Sequence, residues 1–187
     1  MEIIKTDLEG VLVIKPKVYE DDRGYFLESF REDKYNFTSK KFVQHNISKS
    51  AKNVVRGLHY QAGRYAQGKL CQVLNGAALD VTVDVRFGSP TFGKYFPVLL
   101  SEENKLQLWV PPGFAHGFAA LTDHVVFNYK CTEYYSRDHE RAIVYNDPDL
   151  NIDWTVENPI VSEKDLSGSL FRNIQKDFFY EEAIEKS

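Results

Sequence analysis

Apolar and polar positions alternate with a period of two along most of the chain, the mark of strands that bury one face. The runs VLVIKPKVY (11–19), RGYFLESF (23–30), KFVQHNIS (41–48) and NVVRGLHYQ (53–61) are short, rich in aromatic and β-branched residues, and broken by Gly, Asp, Asn and Lys. GKYFPVLLS (93–101), KLQLWV (105–110) and HVVFNYKCTEYY (124–135) continue the pattern. In KLCQVLNGAALDVTVDVR (69–86), Asn75-Gly76 predicts a hairpin closed by a type I′ turn. On its second arm Val81, Val83 and Val85 share one face, and Asp80, Thr82, Asp84 and Arg86 share the other. That polar row fits either a solvated sheet surface or a polar barrel interior. Helical signals are few: a short helix over 31–37, a turn or two over 162–168, and a terminal amphipathic helix over 174–187. Many short strands without alternating helices predict an all-β fold, an antiparallel jelly roll with a few short helices including a C-terminal one.

The length of 187 residues suits a single domain spanning 1–187. Within it the pattern suggests N-terminal strands in 1–50, a jelly-roll core over 51–135 and a helical segment over 160–187. Lys and Arg total 23 against 27 Asp and Glu, which argues against a nucleic-acid binder. No apolar stretch approaches the ~18 residues that span a bilayer, and MEIIKTDLEG lacks the features of a secretory signal. The expected location is the cytoplasm. Cys71 and Cys131 show no C-x-x-C spacing and read as reduced, buried thiols. The unusual quantity is the 14% aromatic content, which favours strands and binding surfaces alike.

Gly63 to Lys69 reads GRYAQGK and satisfies the opening of a P-loop, but Leu70 stands where the Mg-binding hydroxyl belongs and a strand follows instead of a helix. Lys69 remains an anchor for an anionic group. His116, in PPGFAHGF, resembles the second cupin motif, whereas the first motif's H-x-H reads His59-Tyr60-Gln61. Two histidines without the other ligands make a poor metal site, so no metal and no cofactor are expected. His116 is then either a core histidine or a functional one, while His124 and His139 read as surface or strand-start residues. Histidine titrates close to neutral pH and suits general-base work, which makes His59 a candidate base. A carboxylate on its other nitrogen would fix the tautomer, with Asp80, Asp84 and Asp165 as candidates that spacing does not separate. Tyr129 shares a face with Phe127 and Cys131 and points inward, as a structural group or a proton donor.

The blocks DDRGYFLESF (21–30), FVQHNISKS (42–50), VVRGLHYQ (54–61), AQGKL (66–70), DVTVDVR (80–86), SPTFGKY (89–95), SEENKLQLWVPPGFAHGF (101–118), FNYKCTEYY (127–135), NDPDLNIDW (146–154) and SEKD (162–165) together resemble the deoxythymidine diphosphate (dTDP)-4-dehydrorhamnose 3,5-epimerase family over about residues 1–170. The resemblance implies a metal-free cupin barrel that forms homodimers by exchanging N-terminal strands. It implies an isomerase that moves protons at C3 and C5 of a dTDP-4-keto-6-deoxyhexose. By matching positions it gives His59 as base, Asp165 as its partner, Tyr129 as the acid on the opposite face and Lys69 near the C4 oxygen. It assigns Arg23, Glu28, Gln44, Asn46, Arg56, Lys69, His116, Glu140 and Lys164 to substrate binding. Tyr25, Phe26 and Tyr135 are candidates to wall the thymine, and strand exchange could deliver some of the N-terminal residues, such as Arg23 and Glu28, to the neighbouring subunit. The alternatives are a single-centre epimerase, a non-catalytic sugar-nucleotide-binding cupin and a metal-dependent cupin oxygenase.

Overall fold

The computed structural model describes residues 1–181 and shows thirteen strands. They are β1 (Glu2–Lys5), β2 (Leu12–Lys15), β3 (Val18–Asp21), β4 (Gly24–Leu27), β5 (Gln44–Ala51), β6 (Val55–Gln61) and β7 (Lys69–Asn75). β8 (Ala77–Asp84), β9 (Tyr95–Ser101), β10 (Gln107–Val110), β11 (Phe114–Ala120), β12 (His124–Cys131) and β13 (Glu140–Ala142) complete the set. One sheet has the order β1-β2-β10-β7-β12-β5 and the other β13-β6-β11-β8-β9, while β3 and β4 form a separate ribbon. Every named strand pair is antiparallel, and from β5 to β8 the chain changes sheet at each step. This is the winding of a jelly roll, in agreement with the expected class.

Three apolar clusters follow from the alternation. Between the sheets lie Val73, Leu108, Val125 and Phe127 from one side and Ala78, Leu100, Phe114 and Phe118 from the other. The rings of Phe118 and Phe127 stack there at a 4.2 Å centroid distance. On the outer face of the second sheet, Val81, Val83 and Val85 pack with Leu150 and Trp154 from the C-terminal segment. On the outer face of the first, Ile14, Leu70 and Trp109 pack with Tyr35, Phe30, Phe37 and Phe42. The valine row of β8 therefore faces outward under a cover of chain, and its polar row faces the barrel interior: Asp80, Thr82 and Asp84 are fully buried.

Three expectations are corrected. Asn75-Gly76 closes no hairpin, because β7 pairs with β10 and β12 while β8 pairs with β9 and β11. Gly76, at φ +79°, turns the chain from one sheet into the other beside His124 and Thr122, where a Cβ would lie 2.1 Å from the His124 carbonyl oxygen. Residues 31–37 form turns instead of a helix, since their aromatic side chains are drawn down onto Trp109. Residues 174–181 form no helix and run as irregular chain, with Phe179 bridging Phe87 and Phe178 packed in the outer cluster; the rest of the anticipated terminal helix, 182–187, lies outside the described residues. The short helix is present as α1 (Glu163–Leu166). No helix among the described residues is long and apolar enough to cross a membrane.

The pairing of β6 with β11 slips between His116 and Phe118, so that Gly57 and Leu58 stand against Gly117. Such a bulge re-aims the side chains beside it. Gly57, at φ +115°, has room for no Cβ: one would lie 2.6 Å from Gly117 Cα and 2.7 Å from the His116 oxygen. The slip leaves His59 directly opposite His116, both on the interior face. Gly57→Ala is expected to destabilise the protein by about 1–3 kcal/mol through overpacking and backbone strain. Urea titration checks this, and an unchanged midpoint would contradict it.

Candidate active site

The interior between the sheets opens into a cavity of about 270 Å³ whose wall includes Arg56, His59, His116, Phe127, Tyr129, Lys164 and Asp165. A second hollow of about 330 Å³ adjoins it through the shared residues His59, Lys69 and Tyr129, and adds Gln44, Asn46, Tyr135 and Glu140. The sheet containing β6 and β11 supplies Arg56, His59 and His116, and the facing sheet supplies Gln44, Asn46, Lys69 and Tyr129 from β5, β7 and β12. Lys164 and Asp165 come from α1.

Among the three carboxylates open to His59, the fold selects Asp165. His59 Nε2 lies 2.7 Å from Asp165 Oδ1, and the Gly57 amide donates to Asp165 Oδ2 at 3.2 Å. Ser162 caps α1 by accepting from the Asp165 amide at 3.2 Å, which fixes the carboxylate at the edge of the pocket. Burial opposes ionisation of Asp165, but the hydrogen bonds from His59, Gly57 and Ser162 outweigh it, and its carboxyl lies below the ordinary aspartate value. Asp165 accepts the Nε2 hydrogen, which leaves the His59 Nδ1 lone pair as the basic site. Asp80 serves the other histidine, with both oxygens 2.9 Å from His116 Nε2. Asp84 belongs to a structural knot of Arg86, Ser89 and Thr91.

Tyr129 faces His59 from the opposite sheet and packs against Phe127. Burial pushes its phenol up to about 12, so it keeps its proton at neutral pH. Lys69 Nζ donates to the His59 carbonyl at 3.4 Å, and Lys69 lines the same cavity as His59 and Tyr129. Arg56 Nε donates to Ser50 Oγ at 3.0 Å. At the rim Glu140 accepts from Lys164 at 2.6 Å and from Tyr135 at 2.9 Å. Gln44 donates to Asn46 at 3.1 Å and accepts from the Tyr135 amide at 2.9 Å. Glu140 is buried enough to resist ionisation, yet Lys164 and Tyr135 hold its carboxyl below the usual range.

Two anticipated residues stand apart. Arg23 sits on the β3–β4 ribbon with its side chain 89% exposed and paired to Asp21, and Glu28 just beyond pairs with Lys34. Neither lines the cavity of its own chain, nor do Tyr25 and Phe26. Sequence reasoning had passed over Ser162 and the Gly57 amide. The S-x-x-D spacing of SEKD was a legible capping signal, whereas the amide's role depends on the bulge.

The family model described as dTDP-4-dehydrorhamnose 3,5-epimerase matches residues 5–173. The chain is 49% identical over 182 residues to the dTDP-4-dehydrorhamnose 3,5-epimerase of Shigella flexneri, covering 96% of this chain and 99% of the relative. Its structure superposes with a TM-score of 0.93 on the dTDP-6-deoxy-D-glucose-3,5-epimerase of Legionella pneumophila in complex with dTDP-4-keto-L-rhamnose, at 46% identity over 96% of this chain and 98% of the other. A 3'-monoepimerase from Streptomyces bikiniensis in complex with dTDP-quinovose is similar at a TM-score of 0.86 and 31% identity, covering 90% of this chain and 87% of the other.

Because the Asp165 carboxyl titrates below its unfolded value, it stabilises the fold above about pH 4, and that contribution disappears as pH falls through the folded value. Asp165→Asn is expected to lower stability at neutral pH and to flatten the loss below about pH 4. Denaturant midpoints of both proteins across pH 2 to 7 test this, and parallel profiles would contradict it.

Proposed function

The chain belongs to the dTDP-4-dehydrorhamnose 3,5-epimerase family, and from that premise we propose how its pocket inverts two carbon centres. The enzyme is an isomerase that converts dTDP-4-dehydro-6-deoxy-D-glucose to dTDP-4-dehydro-L-rhamnose. The C4 ketone acidifies the hydrogens at C3 and C5. His59 Nδ1 takes one of these protons, and the C–H electron pair moves toward the C4 oxygen to form an enolate. Asp165 stabilises the imidazolium that results, and Lys69 offsets the oxyanion charge. Tyr129 gives its phenolic proton to the same carbon from the opposite face, and both groups re-equilibrate with solvent before the second centre reacts. The observation that carries this reading is the pairing across one cavity of a carboxylate-buttressed imidazole on one sheet with a protonated phenol on the other.

Arg56, Lys164 and His116 supply the positive and polar wall for the diphosphate end, and Gln44, Asn46 and Glu140 the hydrogen-bonding rim. Arg23 and Glu28 belong to the neighbouring copy's pocket in a homodimer. The β3–β4 ribbon supports this, since it joins neither main sheet and exposes Tyr19, Tyr25 and Phe26. In that arrangement Tyr25 and Phe26 of one copy, with Tyr135 of the other, wall the thymine. The scheme runs on side chains alone and needs no metal or organic cofactor: where a cupin metal site has H-x-H, this chain has His59-Tyr60-Gln61, and His59 Nε2 is engaged by Asp165. Two buried free thiols fit a reducing cytoplasm.

The second reading, inversion at one centre only, draws on the likeness to the 3'-monoepimerase, although the identity to 3,5-epimerases is higher. Reaction of the ketosugar nucleotide in heavy water, followed by NMR, separates the two. Deuterium is expected at both C3 and C5. Entry at one carbon only would establish the single-centre reading, and entry at neither would remove the catalytic one. His59→Ala should abolish exchange, and Tyr129→Phe should slow product formation by about 10²–10⁴-fold while the fold survives. Chelation should not lower the rate.

A further inference from the structure

At the inner wall of the cavity three buried donor atoms of different chemistry converge. Cys71 Sγ lies 3.7 Å from His116 Nε2, and both Asp80 oxygens lie 2.9 Å from that same nitrogen. A sulfur, a nitrogen and an oxygen drawn from these three residues all fall within 4.8 Å of one another. The set resembles a Cys-His-Asp relay, but its geometry forbids one. In a relay the nucleophile and the carboxylate occupy opposite ring nitrogens, so that one accepts while the other donates. Here both address Nε2, and the imidazole cannot take the thiol proton on the nitrogen whose hydrogen Asp80 accepts. Convergence of S, N and O on a single point is instead what a cation requires.

We propose that Cys71, Asp80 and His116 form a site for a thiophilic divalent cation, Zn²⁺ in the first place, and that its occupation closes the pocket to substrate. Bonds of about 2.0–2.3 Å at tetrahedral angles set donor atoms about 3.4–3.6 Å apart. The Sγ to Nε2 separation already matches, and the Nε2 to oxygen distance needs to open by about half an ångström. Binding breaks the Cys71 S–H bond, whose proton leaves to solvent, and moves the imidazole hydrogen from Nε2 to Nδ1. The product joins one thiolate, one carboxylate and a neutral imidazole to a dication. The complex is neutral, as a buried site demands. Thiolate with imidazole selects Zn²⁺ over Mg²⁺ or Ca²⁺.

A buried hydroxyl stands on the neighbouring register position. Thr82 is the cross-strand partner of His116 and shares the interior face of β8 with Asp80. Its Oγ1 is fully buried and has no hydrogen-bond partner among the described residues. His116 lines the cavity, which gives the ion its entry path.

The probe is Co²⁺, whose bond to a thiolate gives a near-ultraviolet charge-transfer band. One equivalent per chain should produce that band in the full-length protein, and Zn²⁺ should bleach it. Cys71→Val removes the sulfur without adding a polar group to the core. It should abolish the band and weaken Zn²⁺ binding by about 100-fold or more, with circular dichroism unchanged. Zn²⁺ should inhibit epimerisation by the wild type while leaving Cys71→Val at its metal-free rate. No band in the wild type overturns the site, and so does a band that survives in Cys71→Val, which would place the metal at Cys131. Binding without inhibition overturns the claim that occupation closes the pocket. The inhibitory half rests on the proposed function, but the band does not: it reports the site whether or not the chain turns over any sugar.

Discussion

The 2.7 Å hydrogen bond between His59 Nε2 and Asp165 Oδ1 joins residues 106 positions apart in the chain. Everything on the outer face of the second sheet serves to make that distance possible. After β12 the chain leaves the barrel and lays Leu150, Trp154 and Phe171 over the valine row of β8. It is tied down by bridges of Ile160 to Val54 and of Ser169 to Ile143, and by the Asp147 carboxylate, which accepts from the Phe171 amide at 2.7 Å. α1 lies between those bridges and touches β6. It is too short to be stable as an isolated helix. Its position comes from the flanking bridges and from Ser162, so Asp165 depends on the apolar cover for its aim.

That cover is needed because β8 turns its polar row inward and its valines outward. Asp80, Thr82 and Asp84 are fully buried between the sheets, where an unpaired charge is costly. Asp84 resolves the problem with four partners around one carboxylate, Arg86, its amide, Ser89 and Thr91, and its carboxyl lies below the aspartate range although burial pushes the other way. Asp80 resolves it with the single imidazole of His116. The interior thus remains hollow and hydrogen-bonding around His59 and His116, and the stacked rings of Phe118 and Phe127 form the apolar part of the same cavity wall. A strand that turns polar residues inward turns its alternate residues outward, which is why the face of the second sheet behind β8 carries an apolar cluster.

The same alternation explains what the sequence disclosed. Period-two runs located most of the strands, and the strict Val/Asp-Thr alternation of 80–86 announced a two-faced strand. Which face was inner depended on chain 60 or more residues away, beyond the reach of any local pattern. Asn75-Gly76 carried a genuine turn signal, yet the strands it joins lie in different sheets, and partner choice is a property of the sheets and not of the turn. The stretch from 114 to 120 went unrecognised as a strand because β11 is buried throughout and its small residues show no alternation. Residues 31–37 and 174–181 held helical spacing of apolar groups but were claimed by aromatic packing on Trp109 and Phe87. In the pocket, residue types named the chemistry early, whereas the choice of Asp165 over Asp80 and Asp84 waited on the fold.

The two histidines show how one pairing can serve different ends. They face each other across β6 and β11, each with its Nε2 on an aspartate. The His59 side chain is 26% exposed and its carboxylate takes one nitrogen with one oxygen, supported from behind by the Gly57 amide. Nδ1 is thereby left basic, and the imidazolium formed on proton uptake has its counter-charge already in place. The His116 side chain is 7% exposed, and both carboxylate oxygens and a thiol crowd its Nε2. Its ring is held in the cavity wall by the Asp80 carboxylate and the Cys71 thiol, which suits holding a ligand. The bulge at Gly57 creates the asymmetry: by shifting β6 against β11 it brings His59 to the mouth of the barrel beside α1, and leaves His116 above the buried row of β8.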